Sequence, residues 1–214
     1  MSEIIVEQRS PEWFEIRKGK ITSSEIYKIM GEKGFTETAK TYLLEKASEF
    51  YGGVVESVST MPLDWGRELE PIALKHYEYT TLTTVTKASF IEVDKYYGGS
   101  PDGLVLPDGI VEVKCPFKSA NHFKHGLINT PEEFRKIAPN YYYQCISNMI
   151  CAKAQWCDFI SYDPRVHPDY QMFIYRLPID ELEVLMMKER ISQAVEYLEQ
   201  LKLRISASRP VTLL

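Results

Sequence analysis

Three residues in the segment SPDGLVLPDGIVEVKCP have types and spacing that could do chemistry together: Asp102, Glu112 and Lys114. Glu112 and Lys114 are two apart, and residues two apart on a strand project from the same face. LVLPDGIVEVK reads as two strands joined by a turn at Pro107, Asp108 and Gly109, a β-hairpin. Such a hairpin returns past Asp102, at the strand–turn junction, and can bring its carboxylate alongside the other two groups. Two carboxylates and one backbone carbonyl, most naturally that of Val113, form the hard oxygen set that Mg²⁺ prefers and Mn²⁺ also accepts. A lysine ammonium beside them could orient an attacking water, or stabilise negative charge building on a phosphorane-like centre.

Each piece also has an ordinary meaning. Glu-x-Lys on a strand is commonly a solvated face with a mild ion pair, and Asp-Gly is commonly just a turn. The neighbours favour the chemical reading. Alternation puts Ile110, Glu112 and Lys114 on one face of the strand, with Val111 and Val113 on the other. A strand this apolar, among other apolar strands, tends to be central and buried on both faces. Burying Glu112 and Lys114 there is costly unless they serve a cleft or a metal.

The elements that must position these groups follow from periodicity and turn residues. Thr22 with Glu25 has the form of a capping box opening a short helix through about Met30. A helix is expected over roughly 37–50, ended by Gly52 and Gly53, and a third over roughly 64–79, with Leu69, Ile72, Ala73, His76 and Tyr77 at helical spacing. SFIEVDKYYGG suggests one strand over about 88–97, ahead of the hairpin. A polar loop follows Pro116, and PEEFR, Pro131 to Arg135, looks like a helix start. An apolar helix over about 140–154, strands WCDFISYD and YQMFIYRL, and a long helix capped by Asp180 through about 205 complete the chain. That order predicts an α/β sandwich with a mixed central sheet.

Composition sets the outer limits. With 214 residues, no internal repeat and no Pro/Ser-rich linker, the chain reads as a single domain, 1–214. Hydrophobic residues make up 44% and charged residues 26%, and no apolar run reaches the roughly 18 residues of a membrane span. MSEIIVEQRSPEW lacks the layout of a secretory signal, so a cytoplasmic protein is expected. The net charge of −5, from 25 Lys and Arg against 30 Asp and Glu, argues against coating nucleic acid through bulk positive charge, but leaves local binding open. Cys115, Cys145, Cys151 and Cys157 form no Cys-x-x-Cys pair and read as buried free thiols.

Asp-x9-Glu-x-Lys, written here Pro101-Asp102 … Glu112-Val113-Lys114, resembles the signature of the PD-(D/E)XK nuclease superfamily. The likeness extends to its lambda-exonuclease branch, the YqaJ-type viral recombination nucleases. Four blocks carry it in order: Trp13 to Glu25, Trp65 to Pro71, Gly99 to Phe117 and Tyr141 to Gln144, followed by Tyr-Asp-Pro-Arg at Tyr162 to Arg165. The resemblance implies a restriction-endonuclease-like core, with a mixed central β-sheet flanked by helices. It implies Asp102 and Glu112 as metal ligands, Lys114 as the catalytic lysine, Glu70 as a further acid near the metals, and Gln144 as a helix glutamine positioning water or lysine. Glu70 has the plainer reading of a surface helix glutamate, and Gln144 that of a buried amide satisfied by backbone. Arg17 and Ser24 would hold a phosphate near the DNA end, which suits a bidentate guanidinium and a hydroxyl at a helix N-terminus, and Ser100 would add a hydroxyl near the scissile phosphate. Trp13 and Trp65 read more readily as core than as base contacts. His122 and His125, with Lys118 and Lys124, read as a solvated basic loop before phosphate ligands.

As activity, the resemblance implies a two-metal, Mg²⁺-dependent 5′-to-3′ exonuclease on linear double-stranded DNA, working in phage-type homologous recombination in the bacterial cytoplasm. A ring-shaped homotrimer and a single-strand annealing protein as partner come with it. An endonuclease or a RecB-like nuclease would keep the fold and change the task. Iron–sulfur members of that group need a cysteine well upstream of the acids, and none precedes Cys115. A non-catalytic DNA-end-binding module would be expected to have lost an acid or the lysine, and all three are present.

Overall fold

The structure, a computed structural model, describes residues 8–31, 34–54 and 60–208; the first seven residues of the segment read for a secretory signal lie outside that range. Ser10 opens the first helix, α1 (Pro11–Arg17), by accepting the Trp13 backbone N–H at 3.2 Å, with proline in the first turn. A short strand, β1 (Ile21–Thr22), leads into a 3₁₀ helix, Ser23–Ile29. The expected capping box is not formed there, because the Thr22 side chain makes no cap hydrogen bond. Helices α2 (Glu37–Glu49) and α3 (Met61–Thr81) fall where the periodicity places them, and Leu69, Ala73 and Tyr77 form the buried stripe of α3.

The single strand expected over 88–97 is instead a pair, β2 (Ile91–Glu92) and β3 (Tyr97–Gly99), antiparallel and joined by a turn. Asp94 makes that turn, its Oδ1 accepting the Tyr96 N–H at 2.7 Å, which is why the chain reverses where its composition still favours strand. The predicted hairpin is present as β4 (Gly103–Val105) against β5 (Gly109–Lys114). The segment read as a polar loop contains α4 (Ser119–His125). Helix α5 (Pro131–Ile137) starts on a capping box between Thr130 and Glu133, and α6 (Pro139–Ala152) follows at once. Strands β6 (Trp156–Tyr162) and β7 (Met172–Pro178) precede α7 (Glu181–Ala207), which Asp180 caps by accepting the N–H groups of Leu182 and Glu183.

The expected mixed central sheet is present as a four-stranded sheet, and a second, smaller mixed sheet precedes it in the chain. The smaller has the order β1-β3-β2 and the larger β4-β5-β6-β7, with β5 and β6 parallel and the outer pairs antiparallel. The reason is local: Gly99 to Asp102 leaves the small sheet at β3 and enters the large one at β4. Strand β5 is therefore central and buried on both faces, as its alternation requires. Ile110 joins the core that α6 completes with Cys145 and Met149, while Val111 and Val113 pack with Ala73 and Tyr77 of α3. Each fully buried side chain of this kind contributes roughly 1.5–3 kcal/mol. Cys145, Cys151 and Cys157 are buried free thiols, as expected, and Cys115 is a free thiol only partly covered.

Candidate active site

The hairpin and α6 together build the site. The Asp102 backbone N–H donates to the Val111 carbonyl at 3.1 Å, and its Oδ2 accepts the Val113 N–H at 2.7 Å. The carboxylate thus closes the ladder one step beyond β4 and lies beside Glu112. In extended backbone a residue's N–H and C=O leave the same edge of the strand. The Val113 carbonyl accordingly faces the Asp102 side, where Pro101 has no N–H to offer it.

Glu112 is fully buried, and both its oxygens are engaged. Oε1 accepts from Lys114 Nζ and from Gln144 Nε2 at 2.6 Å, while Oε2 accepts from Asn148 Nδ2 at 2.9 Å. Gln144 and Asn148 are one turn apart on α6, so a single helix face presents both amides. Asn148 carried no assigned role in the sequence; its signal was a polar residue four beyond Gln144 on an otherwise apolar helix.

The electrostatics follow from burial and crowding. Loss of solvent pushes the Asp102 carboxyl well above the usual carboxylate range, the neighbouring Glu112 charge pushes the same way, and Lys114 opposes both. Burial likewise raises Glu112, against the pull of Lys114 and its hydrogen bonds. For Lys114, burial works against the ammonium, but Glu112 and Asp102 outweigh it and the pKa is raised. The lysine is thus held protonated, over the ring of Tyr141 at 5.1 Å. Glu70 contributes its charge to the same group, raising both Asp102 and Glu112, while Arg9 Nη2 contacts its Oε2 at 2.5 Å. Pro71, inside α3, removes one backbone donor immediately after Glu70.

Two carboxylates withdrawn from solvent with raised pKa values, a strand carbonyl facing them and a fixed amide face make an oxygen-rich, electron-rich site. These residues fit a hard divalent cation, whose charge would relieve the crowding of Asp102 and Glu112. Among the described residues no three His, Cys, Asp or Glu side chains converge as a closed cage.

The residues expected to bind phosphate are linked to one another. Arg17 donates to Ser24 Oγ at 3.4 Å and its guanidinium stacks over Trp13 at 3.9 Å from the ring centroid. Trp13 Nε1 in turn donates to Ser100 Oγ at 3.4 Å, two residues before Asp102. Arg17 and Ser24 are therefore in contact, and Ser100 is joined to them through Trp13. Burial lowers the Arg17 pKa to about 10, which leaves it charged at neutral pH.

His122 and His125 are a correction. They are buried rather than solvated, and the Nδ1 atoms of both lie 2.9 Å from Ser161 Oγ on β6, with His122 Nε2 2.7 Å from the Tyr170 carbonyl. The carbonyl only accepts, so a neutral His122 donates from Nε2. The Tyr162–Arg165 block has a bracing part: Arg165 donates to Asp163, to the carbonyls of Pro116 and Phe117, and stacks over Trp65 at 4.3 Å. It ties the loop after Lys114 to α3.

A mixed α/β fold with Asp…Glu-x-Lys gathered at the end of a buried hairpin defines a nuclease of the PD-(D/E)XK class. The family model of the YqaJ-like viral recombinase domain matches residues 12–155. The alkaline exonuclease LHK-Exo from Laribacter hongkongensis is similar at 30% identity and a TM-score of 0.79, over 92% of this chain and 97% of that one. Its complex with dAMP gives a TM-score of 0.80 at 30% identity over the same shares, 92% and 97%. A phage-related exonuclease from Haemophilus somnus 129PT shares the fold at 21% identity, with a TM-score of 0.73 over 87% of this chain and 96% of its own. No curated protein matches by sequence. The chain belongs to the YqaJ-like viral recombinase family, in the lambda-exonuclease group, and is a DNA exonuclease. No helix among the described residues is long and apolar enough to cross a membrane.

Proposed function

We propose that this enzyme digests one strand of linear double-stranded DNA from its 5′ end, with Mg²⁺, leaving 3′ single-stranded tails for recombination by strand annealing. The observation that carries the reading is the buried Glu112 carboxylate, shared by Lys114, Gln144 and Asn148 beside Asp102, with the Arg17–Ser24–Ser100 group adjoining. Asp102, Glu112 and the Val113 carbonyl would hold Mg²⁺ or Mn²⁺, with Glu70 as a further acid, and the bound ions supply charge stabilisation and a more acidic water. Gln144 and Asn148 fix the Glu112 carboxylate in one orientation. Lys114, protonated and without a lone pair, donates a hydrogen bond to the phosphoryl oxygen on which charge accumulates. Arg17 and Ser24 bind the 5′-phosphate, and Ser100 steadies the phosphodiester to be cut. That the similar LHK-Exo forms a complex with dAMP supports a nucleic-acid substrate. A homotrimer around the duplex, an annealing protein as partner and work in the cytoplasm of a bacterial host cell complete the reading.

Digestion of end-labelled linear duplex and of closed circular duplex, both with Mg²⁺, tests it. Linear DNA is expected to lose 5′ label first and circles to survive; cutting of circles would favour an endonuclease. Asp102→Ala, Glu112→Ala and Lys114→Ala should each lower digestion by roughly 10³-fold or more with the fold retained, and a fully active Lys114→Ala protein would sink the mechanism. Arg17→Ala should cost roughly 10- to 100-fold on 5′-phosphorylated ends and little on hydroxyl ends.

A further inference from the structure

The acid Glu70 is already answered by a cation of the chain's own, and the manner in which that cation is held is unusual. Arg9 has φ of 71°, the left-handed region that non-glycine residues adopt at a cost. Both of its neighbours pin it there. Gln8 Nε2 donates to the carbonyls of Ala88 at 3.3 Å and Pro101 at 3.1 Å, the latter adjoining Asp102, and Ser10 caps α1. The turn delivers the guanidinium to Glu70 Oε2, a carboxylate whose side chain is 19% exposed against 42% for Arg9. Glycine would fit this turn without strain; arginine instead places a positive charge where Glu70 adds its field to Asp102 and Glu112.

Resting on the metal-dependent reading above, we propose that Arg9 is a built-in counter-ion that occupies Glu70 and competes with the divalent cation for it. While the pair is closed, the third carboxylate is neutralised and turned to the N-terminal turn. Loading of the cation requires Arg9 to release it, after which the partly exposed guanidinium is free of its partner. Charge balance follows: one cation leaves the acidic group as a stronger one arrives.

Calorimetric titration with Mn²⁺, without DNA, reads this directly. Arg9→Gly, which removes the charge and relaxes the turn, should bind Mn²⁺ about two- to fivefold more tightly than wild type, the range expected for losing a partly exposed ion pair. Arg9→Lys should stay close to wild type. Adding Arg9→Gly to Glu70→Gln should give no further gain, since the contested oxygen pair is gone. Unchanged affinity in Arg9→Gly, or the same gain in the Glu70→Gln background, overturns the proposal. Asp102→Ala separates the two levels. If it abolishes Mn²⁺ binding while Arg9→Gly changes nothing, only the counter-ion role falls; if wild type binds no Mn²⁺, the metal-dependent reading falls with it.

Discussion

Glu112 shows how a single buried carboxylate is kept usable. Left alone in the core it would take up a proton; instead three donors hold it, and each favours the charged form. Asn148 alone donates to Oε2, while Lys114 and Gln144 share Oε1, so it isolates this effect. Its hydrogen bond lowers the Glu112 pKa, and removing it in Asn148→Ala must raise that pKa further. The ionised carboxylate then exists only at higher pH. The acid limb of the pH–rate profile for linear duplex is expected to move upward, with stability falling by about 1–3 kcal/mol for the stranded oxygen. An unmoved limb with lowered stability would reduce Asn148 to packing. The sequence made Asp102, Glu112 and Lys114 legible because their geometry is local: a hairpin and a two-residue spacing. Arg9 and Glu70 were not legible as a pair, since 61 residues separate them and only the closed fold brings the turn at Gln8–Ser10 to α3.

The element on which the site depends most is the passage from β3 to β4, since it carries Ser100 and Asp102 between the two sheets. Gly99 fixes its depth against α6. A Cβ there would lie 2.3 Å from Ser23 Oγ, 2.5 Å from Asn148 Oδ1 and 2.9 Å from Cys151 Sγ, all in a buried polar cluster with no slack. Gly99→Ala is therefore expected to cost about 1–3 kcal/mol in urea denaturation and to reduce digestion, as β3 is pushed off α6 and Asp102 moves with it. Gly66 on α3, where a Cβ would meet nothing within 4 Å, supplies the contrast: Gly66→Ala should be neutral or stabilising by about 0.5–1 kcal/mol. Equal losses in the two variants would refute the packing explanation. Helices with a clear apolar stripe, α2, α3, α6 and α7, could be read from the chain, as could the hairpin turn. Helix α4 could not. KSANHFKHG has the polarity of a loop, and its two histidines become core residues only once Ser161 and the Tyr170 carbonyl arrive from β6 and the segment beyond it.

At the scale of the whole molecule, His125 of that histidine pair couples folding to pH. Its place between α4 and β6 seats the helix that follows the catalytic strand, with His125 packed edge-on against Tyr141 and Phe159. Burial, then the nearby His122 and Lys114, lower the His125 pKa to about 4 from an ordinary value of 6.5. Between those values the unfolded chain binds a proton that the folded one refuses, so stability rises with pH across this window. Above pH 6.5 the contribution is complete; as pH falls toward 4 it is lost, by on the order of 2–3 kcal/mol. Asp163, lowered to about 2 by Arg165 and Ser119 against its burial, acts in a separate window, losing its contribution only as pH falls below 3.8. Asp102 and Glu112 work in the opposite sense, since their raised pKa values mean that the folded state takes up protons first. The net slope of wild type therefore mixes signs, and a difference between variants is needed. His125→Asn retains a donor for Ser161 without titrating. Urea midpoints at pH 7, 5.5 and 4.5 should show it less stable than wild type at pH 7, for its lost ring contacts, with the gap narrowing as the pH falls. Parallel lines for the two proteins would mean that His125 takes up its proton as readily folded as unfolded, and that the acid sensitivity of the fold resides elsewhere.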